Sequence, residues 1–144
     1  MIDIGNTALK ASWADGMTLG KTFRYQGERM MDFILSLTAK SRPELIVLSS
    51  VRTFSEQHVE RLRKECDKMI ILDSTMLEEK YDIPSYLTPD RAASVIAARY
   101  LFKGRSCTVF DFGTVFAIDF IDKDGKYEGG CISPGCHTRF RSLY

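Results

Sequence analysis

The chain has 144 residues, of which 44% are hydrophobic and 27% charged, and its formal net charge is +1. This composition is typical of a globular protein, and the near-zero charge provides no basic surface for nucleic acid or an anionic membrane. The sequence has no apolar run near the roughly 18 residues of a membrane-spanning helix, and its start, MIDIGNT, lacks the basic segment of a signal peptide. Four cysteines without CxxC spacing favour reduced thiols in the cytoplasm. We therefore expect a cytoplasmic protein without nucleic-acid or membrane partners.

The first half of the chain is predicted to form a sheet with helical crossovers. Alternation of apolar and polar residues predicts three antiparallel strands, over residues 2–4, 8–14 and 21–25. Helical periodicity then alternates with wholly apolar strands, in the order helix 28–39, strand 45–48, helix 54–64, strand 69–72. Wholly apolar strands joined by helices favour parallel pairing. The next segment, 73–89, has no clear period and is predicted to be a structured loop.

The second half begins with a strong amphipathic helix over residues 90–102. Thr88-Pro89 is its start signal, a hydroxyl N-cap followed by proline in the first turn. Three further strands are predicted, over 106–111, 115–121 and 127–132, and the chain ends within what resembles another helix.

An internal repeat links the two halves. Residues 3–7 (DIGNT) resemble residues 111–114 (DFGT), and each copy follows an apolar strand and leads into a strand ending at Asp-Gly. A duplicated supersecondary unit indicates two related domains. We predict a first domain over 1–103 and a second that starts at 104 and is incomplete at 144.

The repeated motif has the chemistry of a phosphate-binding loop. Gly5 permits close approach of the backbone, while turn N–H groups and the Thr7 hydroxyl can donate to phosphate oxygens. Asp3 would act through Mg²⁺ or its waters, because a carboxylate repels phosphate, and Lys10 could reach a phosphate. One such motif alone is equally well explained as a hairpin turn. Two copies in matching contexts favour a nucleotide site of the kind found in actin-like and sugar-kinase ATPases.

Four ordered motifs give the chain a specific resemblance along its whole length to the type III pantothenate kinases, the Bvg accessory factor family. They are DIGNT at 3–7, the segment YDIPSYLTPDR at 81–91, which corresponds to the family's Y…P…LGxDR, DxGT at 111–114, and GGxIxPG at 129–135. The resemblance implies a ribonuclease H-like (actin-like ATPase) α/β fold, with three antiparallel and then parallel strands flanked by helices, plus the first sheet of a duplicated second domain.

The resemblance also implies ATP-dependent phosphorylation of pantothenate, the first step of coenzyme A synthesis, by a homodimer. It assigns catalysis to Asp90, as general base on the pantothenate hydroxyl. The residues it implies for ATP are Asp3, Ile4, Gly5, Asn6, Thr7, Lys10 and Thr114, those for pantothenate are Tyr81, Thr88, Pro89, Asp90 and Arg91, and the one for a monovalent cation (K⁺ or NH₄⁺) is Asp111. Without the resemblance, Asp90 would be interpreted as a carboxylate favoured by the helix dipole.

Some features keep other functions open. Thr88 stands where the family has the glycine of LGxDR, and Val115 and Ala117 replace a small residue and a hydroxyl after the DxGT turn. The chain also stops before the family's next motif. These departures motivate an alternative, a catalytically inactive, truncated member that acts as a dimeric binding or regulatory protein. A different kinase of the superfamily, such as a sugar kinase, is a further hypothesis.

Overall fold

The structure is a computed structural model that describes all of the chain, Met1–Tyr144. The chain divides into two compact units, Met1–Leu72 and Asp73–Tyr144. This division falls before the predicted domain boundary at 103, because the helices that precede residue 103 belong to the same compact unit as the second sheet. The domain assignment itself rests on the repeated hairpins and stays a prediction.

The first unit is a five-stranded mixed sheet with two helices. Its elements are β1 (Ile2–Ile4), β2 (Leu9–Asp15), β3 (Thr18–Tyr25), α1 (Met30–Thr38), β4 (Leu45–Ser50), α2 (Glu56–Arg63) and β5 (Lys68–Ile71). The strand order is β3-β2-β1-β4-β5. Strands β1, β2 and β3 pair antiparallel, and β1, β4 and β5 pair parallel. The predicted mixed α/β arrangement of this half is therefore confirmed.

The core of the first unit lies on one face of this sheet. Strand residues such as Ile4 and Leu48 pack with Ile34 of α1 and Leu62 of α2, and none of these four side chains is more than 1% exposed. Alternation along the strands sends Ile2 and Ile4 into this core and Asp3 to the opposite face. Asp3 therefore lies on the face of the sheet away from this core.

The second unit is a three-stranded antiparallel meander with three helices. Its elements are α3 (Ser74–Tyr81), α4 (Pro89–Leu101), β6 (Cys107–Phe112), β7 (Val115–Ile121), β8 (Tyr127–Pro134) and α5 (Cys136–Arg141). The strand order is β6-β7-β8, and α4 contacts both β6 and β7. Buried side chains of α4, Ala92 and Val95, are fully inaccessible to solvent, so the amphipathic pattern that predicts this helix also identifies its packed face.

The prediction of a loop over residues 73–89 is wrong for the first half of that segment. Residues 74–81 form helix α3, and Leu77 is its single buried residue, so the segment lacks the apolar stripe that indicates a helix. Its ends are defined by capping: the Asp73 side chain accepts a hydrogen bond from Met76 N at 2.8 Å, and Asp82 ends the helix at φ 50°. Cap signals at both ends therefore define an element that periodicity does not reveal.

The face of the second sheet that points away from α4 carries exposed aromatic residues. Phe110 and Phe112 are 56% and 73% exposed, and the rings of Phe112 and Phe116 stack at 4.5 Å between centroids. Phe120 extends the same face and is 46% exposed. Exposed apolar surface of this extent is unusual. None of the helices combines the length and the apolar character that a membrane span requires.

Candidate active site

The DIGNT segment forms a tight turn between β1 and β2. Gly5 N donates to Ala8 O at 3.0 Å, and a Cβ at Gly5 would lie 3.3 Å from the same oxygen. Asn6 and Thr7 are exposed at the turn, whereas Ile4 just before it is fully buried. Ile4 therefore anchors the turn in the core, and the polar residues that follow it face solvent.

A row of polar residues crosses the sheet beside this turn. Asp3 lies opposite Lys10 of β2 and opposite Ser49 of β4, and Lys10 in turn lies opposite Arg24 of β3. Residues directly opposite one another share a face of the sheet. Lys10 therefore lies beside Asp3 on the face away from the core, and Arg24 lies beyond Lys10, one strand further along the sheet. Arg24 and Ser49 were not predicted from the sequence, because strand register is needed to place them there.

Two more features of the first unit bear on the turn. Arg52, in the loop after β4, donates from its guanidinium to Asn6 O and so holds the turn in place.

Ser49 is 7% exposed, and its hydroxyl oxygen is buried with no hydrogen-bond partner. An unsatisfied buried hydroxyl next to an acidic residue is uncommon in a folded protein.

The DFGT segment forms the matching turn of the second unit. Gly113 N donates to Val115 O at 3.1 Å, which reproduces the Gly5 turn with one residue fewer. Thr114 O accepts hydrogen bonds from Gly135 N and from Thr138 Oγ1, both at 2.9 Å. The last glycine of GGxIxPG therefore packs directly on the turn, where a Cβ would collide with backbone oxygens.

Asp111 lies just before this turn. It is half-buried and faces the buried Ala117 across the β6–β7 ladder. Alternation places it on the same sheet face as Asp119 of β7, the face against which α4 packs. Nowhere in the chain do three or more His, Cys, Asp or Glu side chains form a group that could hold a metal ion. A cation at Asp111 or Asp3 would therefore have at most two of these side chains as ligands and would need other oxygens.

The LGxDR-like segment forms the start of α4. Thr88 is the N-cap residue and Pro89 occupies the first turn, as predicted, but the Thr88 hydroxyl makes no capping hydrogen bond. Asp90 follows in the first turn, and its Oδ1 atom is buried without a hydrogen-bond partner. A carboxylate oxygen in this position has a lone pair that is free to accept a proton, or a hydrogen bond from a hydroxyl group.

Arg91 makes the most buried ion pair of the chain. Its Nε donates to Asp119 Oδ2 at 3.1 Å and its Nη2 to Oδ1 at 2.5 Å, with the Arg91 and Asp119 side chains 13% and 2% exposed. The Tyr127 hydroxyl donates to Asp119 Oδ1 at 2.8 Å and accepts from Arg91 Nη2 at 3.3 Å. We call Arg91, Asp119 and Tyr127 the buried triad.

The triad perturbs its own protonation equilibria. The hydrogen bond to Asp119 raises the pKa of Arg91 above its usual value, against the opposing effect of burial. Burial, followed by the hydrogen bond to Asp119, raises the pKa of Tyr127 to about 12. Asp119 and Tyr127 were not predicted from the sequence, because both occur in ordinary strand patterns and their partner is distant in the chain.

Tyr81, the remaining predicted site residue, lies at the end of α3. Its side chain is 42% exposed, and its carbonyl accepts a hydrogen bond from Arg99 of α4. Thus the second unit carries Tyr81, the start of α4, Asp111 and Thr114, while the first unit carries the Asp3 to Lys10 hairpin. Each unit has its own set of polar groups suited to binding an anion or a cation.

The fold and these groups define a mixed α/β protein that has two Asp-Gly-hydroxyl hairpins and an aspartate, Asp90, in the first turn of helix α4. A profile of the type III pantothenate kinase family matches residues 1–144. The chain belongs to this family. The resemblance stated from the sequence motifs is confirmed.

Curated relatives agree with the family match. The chain is 34% identical over 146 residues to a type III pantothenate kinase of Phocaeicola vulgatus, covering 99% of this chain and 60% of the relative. It is 32% identical over 147 residues to one of Bacteroides fragilis, covering 100% and 60%. The chain therefore spans about 60% of the length of these relatives.

A solved structure has a similar fold. The crystal structure of a protein from Campylobacter jejuni, described as a Baf family transcriptional activator, matches with a TM-score of 0.56 and 22% identity. The match covers 99% of this chain and 57% of that chain.

Proposed function

We propose that the protein transfers the γ-phosphoryl group of ATP to pantothenate, giving 4'-phosphopantothenate in the first step of coenzyme A synthesis. The observation that carries this proposal is the family match over residues 1–144, within which all four motifs occur in order. The curated relatives named above are type III pantothenate kinases. The family match and the curated relatives favour the kinase over the inactive and sugar-kinase alternatives.

The first hairpin is the proposed site for ATP phosphates. The groups we assign to it are Asp3, Ile4, Gly5, Asn6, Thr7 and Lys10. Gly5 lets the backbone approach the phosphates, and Lys10 beside Asp3, with Arg24 beyond Lys10, offsets phosphate charge. The single Asp3 carboxylate fits Mg²⁺, which is usually held by one or two carboxylates together with substrate phosphates. When bound, Mg²⁺ neutralises charge on the transferring phosphoryl group.

The start of α4 is the proposed site of proton acceptance. Phosphoryl transfer to an alcohol needs a base that receives the hydroxyl proton, and a general base must offer a free lone pair within hydrogen-bond reach. Asp90 has such an atom, the buried and unpartnered Oδ1. We assign Tyr81, Thr88 and Pro89 to the pantothenate side of the same site.

Finer features of the protein are also part of the proposal. We propose that Asp111 binds a monovalent cation, K⁺ or NH₄⁺, and that Thr114 contacts ATP. The matching turns at Gly5 and Gly113 support two copies of an actin-like ATPase unit. A homodimer in the cytoplasm completes the proposal; the sedimentation coefficient of the purified chain tests the oligomeric state.

A coupled assay of ADP release tests the proposed reaction. With ATP, Mg²⁺ and K⁺ present, we expect ADP release that requires pantothenate and is not supported by glucose, glycerol or pantoate. Asp90→Asn should lower kcat by about 10²- to 10⁴-fold, the usual contribution of a general base. Asp124→Asn is the matched control, because Asp124 is exposed and pairs only with the neighbouring Lys123. Pantothenate-independent ADP release, or equal activity of both variants, would contradict the proposal.

A further inference from the structure

Arg52 lies beside the DIGNT turn, although it belongs to none of the four sequence motifs. Val51 N donates to Ile4 O at 3.0 Å, so the parallel pairing of β1 with β4 continues one residue beyond the end of β4. The segments that follow these two strands therefore leave the sheet at the same edge. In open α/β sheets, ligands bind at the carboxyl ends of the strands, and Arg52 lies at that edge.

We propose that Arg52 binds the β- and γ-phosphates of the nucleotide, through N–H groups of its guanidinium that donate to non-bridging phosphate oxygens. This inference rests on the proposed function, since it takes the first hairpin as the site of the ATP phosphates. It adds a second wall to that site, formed by the loop after β4.

Contacts at both ends of the Arg52 residue fix where its guanidinium lies. The Nη2 atom donates to Asn6 O, a carbonyl of the DIGNT turn. At the backbone, the Ser50 hydroxyl accepts a hydrogen bond from Arg52 N at 3.2 Å and donates one to Arg52 O at 2.8 Å. A side chain that is already held in this way loses little conformational freedom when a ligand binds.

The Arg52 guanidinium has donors and charge available for an anion. A guanidinium has five N–H donors, and Arg52 uses only its Nη2 atom, on Asn6 O. The side chain is exposed and forms no salt bridge with a carboxylate. The arginines that do pair with acidic side chains are Arg29, Arg42, Arg63 and Arg91. Because the planar fork of a guanidinium matches phosphate oxygens, the free donors of Arg52 suit a phosphate group.

Cations approach this part of the sheet from both sides of β1. Strand β1 lies between β2 and β4. Lys10 of β2 lies beside Asp3, while Arg52 comes from the loop after β4. Phosphoryl transfer is favoured by neutralisation of the charge on the phosphate oxygens. A cation on each side of β1 therefore suits a polyphosphate better than a singly charged anion.

Isothermal titration calorimetry of the full chain with MgATP tests the inference without turnover. For Arg52→Gln we expect the Kd for MgATP to rise by about 10- to 100-fold, the usual effect of losing hydrogen bonds to a charged group. Glutamine keeps an N–H donor that can reach Asn6 O, so the variant removes charge with the least change to the turn. Arg61→Gln is the matched control, because Arg61 is an exposed arginine in the last turn of α2, and its Kd should stay within about twofold of the wild type.

An NMR measurement on the wild type separates a phosphate contact from a role in holding the turn. The Arg52 Nε–H resonance, assigned by its loss in Arg52→Gln, should shift on addition of MgATP and stay in place on addition of AMP, which lacks the β- and γ-phosphates. If a lower melting temperature shows that Arg52→Gln disturbs the fold, this resonance decides. An unshifted resonance with MgATP, or an equal shift with AMP, would overturn the inference.

The outcomes distinguish the inference from the proposed function. MgATP binding that Arg52→Gln weakens, in a chain that does not phosphorylate pantothenate, contradicts the proposed function and supports the inference. Equal Kd values for the wild type and Arg52→Gln would overturn the inference, as would an equal loss of affinity in Arg61→Gln. A folded wild-type chain that binds no MgATP would overturn it as well.

Discussion

Replacing Gly130 by alanine is the sharpest structural test of the buried triad. The added Cβ would lie 2.6 Å from Asp119 Oδ1, where ordinary contact begins at 3.4 Å, and it would also collide with the backbone oxygen of Ile118. The Ile118 oxygen is part of the β7 backbone and cannot rotate away. Relief of the Ile118 contact therefore requires displacement of β8, and the Asp119 contact can also be relieved by separation of Asp119 from Arg91.

The cost of Gly130→Ala follows from these two routes. Overpacking of a filled site costs about 1–3 kcal/mol. Loss of one partner from a buried ion pair costs about 3–5 kcal/mol. Displacement of β8 is needed in any case, and partial loss of the Asp119–Arg91 pair adds to its cost, so we expect the free energy of unfolding to fall by about 3 kcal/mol. This is a large part of the roughly 5–15 kcal/mol of a typical domain.

Urea denaturation followed by circular dichroism measures this effect. Gly113→Ala is the matched control, because its Cβ would meet Val115 O at an ordinary 3.5 Å and its φ is not positive. The control should change the free energy of unfolding by less than about 1 kcal/mol. If Gly130→Ala moves the urea midpoint no further than Gly113→Ala does, the packing argument is refuted.

Three other predictions concern the second unit. Because the pKa of Tyr127 is raised to about 12, the free energy of unfolding should fall as pH rises from about 10 to 12, by on the order of 2–3 kcal/mol. The Tyr127→Phe variant should lose that part of the pH dependence in unfolding titrations. An unchanged pH dependence in this variant would refute the role of Tyr127. Asp73→Ala removes the cap on Met76 N and should cost about 1 kcal/mol by thermal unfolding, whereas an unaltered midpoint would exclude the cap. Phe110→Ser with Phe112→Ser should reduce binding of an apolar fluorescent dye, since both rings are exposed; undiminished fluorescence would show that the dye binds elsewhere.

The fold was predictable where its signals are local. Alternating strands, Asp-Gly turns and apolar helix stripes lie within short stretches of chain, and the strands of both units follow them closely. Even the one-residue difference between the two repeated turns is reproduced by their hydrogen bonds, from Gly5 to Ala8 and from Gly113 to Val115. Helix α3 was missed because Leu77 is its single buried residue and capping carries its signal.

The site was only partly predictable because much of it depends on register and long-range pairing. Arg24 and Ser49 share a row with Asp3 only when four strands are aligned. Asp119 and Tyr127 meet Arg91 across 28 and 36 positions of sequence. One sequence gives no information about such contacts, since a polar residue in a strand is ordinarily an exposed one.

The proposed reaction is the phosphorylation of pantothenate by this chain, with Asp90 as the proton acceptor. The most direct measurement is mass-spectrometric detection of 4'-phosphopantothenate after incubation with ATP, Mg²⁺, K⁺ and pantothenate, for the wild type, Asp90→Asn and Asp124→Asn. We predict product from the wild type and Asp124→Asn, and product lower by about 10² or more from Asp90→Asn. No product from a folded wild-type chain, or equal product from Asp90→Asn, would contradict the account.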